Sequence, residues 1–396
     1  MFRLCTYWFV MTAALGVYFP YFSLYLKEAL GLRGAQVGAA FAIPPLVGLF
    51  AQPFWGYVAD RSGSRTRVLM LLSFGTASGY ALLMWPRSFL PLMAAVTWLS
   101  FFSTAQMPMA VAVSLGAIAQ RPDRRPFGHV RVWGTLGFFL TVLGVPPLVR
   151  ALAAARGTSQ PAQFHYAFLL AAVLAGTASL IAAGFPTLPA AERVRMARGE
   201  ERLLLTNTSY LRVLLVIALA YGFLHGPMVL FPVYVHSRGG DNATISYMWS
   251  FSLTAETILM FSSAALYVRF GPKPTISFGI IACGVRWLVC GMCTDLGYVY
   301  PLQTLHGAMV MSLQVGAPML VEALVPERLR ASSQAGLNMV ASSVGGVASS
   351  MLAGVLLDSA GIDVVMLLGG GAGLLLGIAT PWILPNVRTA SPAPQP

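Results

Sequence analysis

The sequence predicts an all-α membrane protein, with twelve transmembrane helices in two pseudo-symmetric six-helix bundles. Three observations predict it. Of 396 residues, 57% are hydrophobic and only 10% charged, with a mean hydropathy of +0.72; soluble domains carry about 25% charged residues. The apolar residues form continuous runs close to the ~20 residues that a helix needs to cross hydrocarbon. The Lys and Arg residues sit in short loops whose density alternates along the chain. A transmembrane barrel would instead show segments of about ten residues with alternating polarity. Within hydrocarbon, a helix satisfies its own backbone hydrogen bonds.

The spans are placed at 4–27, 36–59, 67–85, 89–118, 130–150, 164–186, 210–236, 243–268, 274–294, 297–324, 331–357 and 362–384. The first run follows Arg3 and ends at Lys27-Glu28. It is longer than a signal-peptide core and lacks a small-residue cleavage site, so it reads as a retained span. Trp85-Pro86-Arg87 parts spans 3 and 4, and Asp295-Leu296-Gly297 parts spans 9 and 10, so each pair is a tight hairpin. Residues 187–209 form the longest polar stretch, read as a cytoplasmic linker between an N-terminal half, 1–186, and a C-terminal half, 210–386. Residues 387–396, rich in proline, read as a disordered tail.

Seventeen Lys and Arg fall on the side of the N-terminus and the loops after even-numbered spans, against six on the other side. Arg131 and Arg286 lie within spans. This bias predicts that both termini are cytoplasmic, in a multi-pass protein of the plasma (inner) membrane. It also accounts for the formal charge of +12 through lipid contact and topology, without nucleic acid. Prolines interrupt several spans, at Pro44-Pro45, Pro108, Pro146-Pro147, Pro227, Pro232 and Pro318. Period-four small residues, Ser342, Gly346, Ser350, Gly354 and Gly369, Gly373, Gly377, predict close helix packing in the last two spans. Three of the four cysteines, Cys283, Cys290 and Cys293, share one apolar span and read as buried thiols rather than metal ligands.

Between spans 2 and 3 stands Gly56-Tyr-Val-Ala-Asp60-Arg61-Ser-Gly63-Ser-Arg65-Thr-Arg67. Gly56 suits close helix contact, Asp60 accepts charge-assisted bonds where a helix leaves the membrane, and Gly63 suits a tight turn. The block resembles the GxxxDRxGxR loop of the major facilitator superfamily, which implies a gating role for Gly56, Asp60, Arg61, Gly63 and Arg65. After span 8, Arg269 and Gly271 keep the spacing of Arg61 and Gly63, with Val268 in place of the aspartate. Further blocks are Gly16-Val-Tyr-Phe-Pro20-Tyr-Phe, Phe127-Gly-His-Val-Arg131-Val-Trp-Gly134, Arg286-Trp and Leu302-Gln-Thr-Leu-His306. They resemble the branch that holds lactose permease, the nucleoside–proton symporters and the phenylpropionate permeases. That resemblance implies the major facilitator fold and proton-coupled import of a small solute.

Ionisable groups in mid-membrane default to function. Glu256 lies within span 8, with Trp249 and Ser252 on the same helix face at offsets of three and four. The resemblance matches Glu256 to the branch's span-8 acid, His306 to its span-10 histidine and Arg286 to its span-9 arginine, and so implies a proton-coupling set. A nearby cation favours the charged carboxylate and burial the protonated one. A mobile Arg286 paired with Glu256 would therefore switch its hold on a proton. Arg131 matches the branch's substrate-contacting arginine. Span 4 nonetheless lacks the acid of the sugar-transporting relative, Met309 replaces its second span-10 acid and Gln303 its lysine. These departures point away from lactose-like disaccharides and towards an aromatic or carboxylate compound or a nucleoside. Arg131, Trp249, Ser252, His225 and Gln106 are the candidate substrate-lining residues. Glu322 is expected to pair with Arg328 or Arg330.

The expected partners are the solute, protons and the bilayer, with no cofactor, no metal, no enzymatic activity and a monomeric state. One rival is a drug–proton antiporter of the same superfamily; the span-5 stretch Leu143-Gly144-Val-Pro146-Pro147-Leu lacks the glycine pair that follows in such exporters. Another is a membrane sensor or scaffold, against which stands the absence of any polar segment beyond about 25 residues. No Walker loop occurs, so ATP is not the direct energy source.

Overall fold

The computed structural model describes residues 1–120, 127–157, 165–185 and 202–386. Among these residues the chain is helical throughout, with no strand. Ten helices are long and apolar enough to span a bilayer: α1 (Phe2–Ala29), α2 (Gly34–Ser62), α4 (Phe89–Ala119), α5 (Gly128–Arg156), α6 (Tyr166–Ala183), α7 (Thr208–Ser237), α9 (Pro272–Met292), α10 (Leu296–Leu324), α11 (Ser332–Ala360) and α12 (Ile362–Ile383). Two further long helices complete the series, α3 (Arg65–Leu82) and α8 (Asn242–Phe270). Their mean hydropathy is lowered by Arg65 and Arg67 in one and by Glu256 and Arg269 in the other. The twelve match the spans read from the sequence. Large apolar side chains such as Phe50, Leu90, Leu180 and Trp382 point outward, as helices solvated by lipid require.

Local chemistry explains where helices break. α1 loses regular helix after Tyr18, across Phe19-Pro20-Tyr21, and ends in a π-helical turn, Tyr25–Ala29, because proline removes a backbone donor. α2 stops at Gly63, whose φ of +66° only glycine adopts readily. Ser64 then caps α3 by accepting from the Arg67 N–H at 3.3 Å. Gly271, with φ +82°, repeats this device before α9, so the decayed loop motif keeps its turn. α10 and α11 carry π-helical turns at Met311–Gly316 and Val340–Gly346. The linker, 187–209, lies mostly outside the described residues, and the tail, 387–396, wholly so.

The helices form two compact units. One holds Met1–Glu192 with Leu230–Ser250, the other Arg193–Val229 with Phe251–Pro396. In the first unit α1 packs on α5 and α6, α3 on α4 and α6, and α2 on α4. The Thr12 hydroxyl donates to the Gly134 carbonyl at 2.5 Å, and a Cβ on Gly16 would stand 2.8 Å from the Phe138 oxygen. The Tyr21 hydroxyl donates to the Val142 carbonyl at 2.7 Å and shares a hydrogen bond with Ser246. Such contacts tie Leu230–Ser250 to this unit.

In the second unit the dominant contact is α9 on α12. A Cβ on Gly370 would meet the Leu288 Cα at 2.8 Å, and one on Gly377 the Ile281 nitrogen at 2.8 Å. The period-four glycines of α12 do not form one ridge against one partner. Gly377 faces α9, whereas a Cβ on Gly369 would lie 2.7 Å from the Phe223 carbonyl of α7, and Gly373 packs on Leu224. On α11 it is Ser349, not the in-register Ser350, that accepts from the Gly226 N–H, at 2.7 Å. The expected pairing of Glu322 is also corrected. It accepts from the Gln334 amide at 3.4 Å, because α11 brings Gln334 alongside it ahead of either arginine.

Asp241 caps α8. Its carboxylate accepts from the Thr244 N–H and hydroxyl, both at 2.9 Å, and meets Arg150 at 3.3 Å. Partial burial pushes this carboxyl up, but the Thr244 hydrogen bonds and Arg150 outweigh it and hold the group below its ordinary 3.8. A depressed carboxyl stabilises the fold above its unfolded value near 4, and that contribution is lost as pH falls through the lower folded value.

Two outcomes follow for thermal unfolding of the detergent-purified protein. Gly377→Val should lower the midpoint, at an overpacking cost of about 1–3 kcal/mol, while Gly144→Ala, whose Cβ would meet open space, should not. Asp241→Ala should cost about 0.5–2 kcal/mol at pH 7, and the gap from wild type should narrow as the pH is brought below the ordinary carboxyl value of 3.8. A gap that keeps its size across this range would refute the depressed carboxyl.

Candidate functional site

The second unit gathers an ionisable chain. Arg286 of α9 is buried to 1% exposure, yet sits in a helix solvated by lipid. Its Nε and Nη2 donate to the Gln303 Oε1 at 3.0 and 2.5 Å, and its guanidinium lies over the Trp287 ring at 4.1 Å. Gln303 is held in turn by its own amide N–H, which donates to the Val299 carbonyl at 2.9 Å. α10 tightens here, with His306 N–H bonding to the Gln303 carbonyl at 3.1 Å. That turn sets Gln303 and His306 towards the same guanidinium.

Arg286 Nη1 lies 3.2 Å from His306 Nδ1. A guanidinium only donates, so Nδ1 accepts, and the imidazole proton is assigned to Nε2. Nε2 stands 3.6 Å from the Glu256 Oε2. Gly307 makes this reach available: a Cβ there would lie 2.8 Å from both N and Cα of Glu256, so α8 and α10 touch backbone to backbone. The sequence reading grouped Glu256, His306 and Arg286 as one proton-coupling set, paired Arg286 with Glu256 and gave His306 no place between them. The structure sets the imidazole between them, a cation, a neutral ring and a partly exposed carboxylate in series.

The remaining substrate candidates are distributed. On α8, Trp249 belongs to the first unit, where it meets Phe19 edge-on with centroids 5.6 Å apart. Ser252, buried, and Glu256 belong to the second. His225 of α7 lies beside Tyr221 and near Gly346 of the α11 π turn. In the first unit, Arg131 of α5 lies 5.2 Å from the Trp8 ring centroid. Trp8 is fixed by donating to the Ser114 hydroxyl at 2.9 Å and by Phe127 edge-on. Gln106 turns into the bundle core, where its amide donates to the Tyr7 and Ser73 hydroxyls at 3.3 and 3.0 Å.

The residues read from the motif as a gate keep their turn but not all the expected contacts. Arg61 donates to the Tyr57 hydroxyl at 2.7 Å, and Arg65 opens α3. Asp60 is half-buried at the end of α2. Space beside Gly56 is open to 4 Å, so no close helix approach uses it among the described residues. Two contributors escaped sequence reasoning. Gln303 was read only as a departure, although it sits three residues before His306 on one helix face. Trp8 carries no sequence signal that separates it from other aromatics in the first span.

Comparisons with known proteins agree with this architecture. The model of the MFS_1 like family matches residues 1–367. A maltose permease of Geobacillus stearothermophilus is 28% identical, covering 91% of this chain and 89% of its own. A probable 3-phenylpropionic acid transporter of Escherichia coli is 25% identical over 74% of each chain. A crystal structure of the nucleoside transporter NupG, as a D323A mutant, superposes with a TM-score of 0.85 at 17% identity, covering 96% of this chain and 99% of that one, a likeness of fold. The chain thus belongs to the MFS_1 like family and is a membrane transporter of the major facilitator type.

Proposed function

We propose that the protein imports a small organic solute by proton-coupled symport, with residues 1–186 and 210–386 as the alternating halves and both termini cytoplasmic. The observation that carries this reading is the Arg286–His306–Glu256 series. Glu256 is the proton carrier. In its charged form it faces an imidazole N–H backed by a guanidinium, which stabilises the carboxylate. Any movement of α10 that withdraws His306 takes away that N–H and the cation behind it, and so leaves the charged carboxylate less well held. Proton affinity is thereby tied to helix position, as symport requires. Gln303 and His306 both accept from the Arg286 guanidinium, which holds the imidazole in line with Glu256.

The solute is read as an aromatic or carboxylate-bearing compound or a nucleoside. Arg131 above the Trp8 indole offers a cation beside a ring face, and the relatives include transporters named for phenylpropionic acid and for nucleosides. A sugar is the second reading, favoured by the maltose permease, which is similar along nine-tenths of the chain. Efflux remains the alternative direction, and everted vesicles separate it from import.

In proteoliposomes, Glu256→Gln, an isosteric mimic of the protonated acid, is expected to abolish proton-driven accumulation while solute exchange continues. Uphill accumulation by this variant would remove Glu256 from the carrier role. Thermal stabilisation of the purified protein by 3-phenylpropionate, nucleosides and maltose identifies the class. Arg131→Gln is expected to weaken an anionic solute by about tenfold or more, the worth of a charge-assisted hydrogen bond, and unchanged affinity would exclude that contact.

A further inference from the structure

The hairpin between α3 and α4 bounds an open groove of about 490 Å³ lined by Leu82, Trp85, Pro86, Arg87, Pro91, Ala94, Ala95 and Trp98. Its floor follows from sequence. Pro91, Ala94, Ala95 and Trp98 recur at offsets of three and four and so share one face of α4. The small alanines open a channel that the two tryptophans bound. Trp98 is held upright because its indole N–H donates to the Ser78 hydroxyl of α3 at 2.9 Å. Trp85 and Trp98 are 68% and 48% exposed; an indole in the turn of a spanning hairpin, as Trp85 is, suits the headgroup level of a bilayer, and Trp98 lies about 14 Å along α4 from its start.

One charged side chain lines this apolar channel, and it is basic. Arg87 is tethered by Nη1, which donates to the Met84 and Pro86 carbonyls at 3.0 and 3.3 Å. No acidic residue lines the groove to accept the amine of a zwitterionic headgroup. A guanidinium pairs well with phosphate. An apolar channel in contact with hydrocarbon, with one uncompensated cation, suits a chain that ends in net negative charge.

We propose that this groove is a binding site for an anionic glycerophospholipid, with an acyl chain laid along Pro91–Trp98 and the phosphate on Arg87. The groove shares no lining residue with the candidate solute-binding or proton-coupling sets. One basic residue near a membrane surface contributes a preference for anionic lipid of about fivefold.

The test is native mass spectrometry of the full chain titrated with phosphatidylglycerol and phosphatidylethanolamine, with inorganic phosphate as a competitor. Other basic loops also attract anionic lipid, so the readout is the change from wild type to variant. Arg87→Gln is expected to lower phosphatidylglycerol occupancy towards that of phosphatidylethanolamine, about fivefold at one site. Ala94→Leu, which fills the channel at an exposed position, is expected to remove one bound lipid of either kind, and both variants should keep wild-type transport and melting in lipid-free detergent. Retained preference in Arg87→Gln overturns the proposal. Displacement of the lipid by inorganic phosphate would make this a free anion site instead, and loss of self-association in Ala94→Leu would make it a contact with a second copy; either overturns it.

Discussion

A guanidinium buried among lipid-solvated helices must find every counter-group inside the protein, and Arg286 organises the second unit around that need. A charge without partners in hydrocarbon costs several kcal/mol. Gln303, His306 and the Trp287 ring supply the partners. Each is set by something beneath it: Gln303 by the Val299 carbonyl, His306 by the tightened turn of α10, and α10 itself by the missing side chain of Gly307. Substituting any of these disturbs the position of the imidazole before it touches the carboxylate.

The same constraint explains what could be read without a structure. Charge is scarce in this chain, so Glu256, Arg286 and His306 stand out within apolar runs, and the family resemblance gave them roles. Their arrangement was not legible. Three positions on three helices admit several pairings, and only the packing of α8, α9 and α10 selects the one in which the ring stands between the ions. Neutral contributors were hidden for a different reason. An amide such as Gln303, or an indole such as Trp8, inside an apolar span looks like packing until its donor or face is seen to meet a cation.

Spacing rules fared unevenly. The glycine turns at Gly63 and Gly271 follow from local backbone needs, and local sequence predicts them well. The glycines of α12 also announce close approach, but a periodic row does not name its neighbours. One face of α12 serves both α7 and α9, so Gly369 and Gly377 belong to different contacts. Gly56 shows the limit from the other side: a small residue in a motif that suggested close helix contact has open space beside it in α2.

The π-helical turn at Met311–Gly316 has a geometric consequence for all of α10. A π turn closes with an i→i+5 bond and so takes in one residue more than an α turn, which sets everything beyond it back by about 100° from a continuous α wheel. A helical wheel drawn continuously from His306 therefore goes out of phase before it reaches Pro318 and Glu322. The two ends of the helix present directions that their sequence separation alone would assign to different faces. Side chains near the Leu324 end of α10 thus keep an azimuth of their own, set by where the extra residue is lodged.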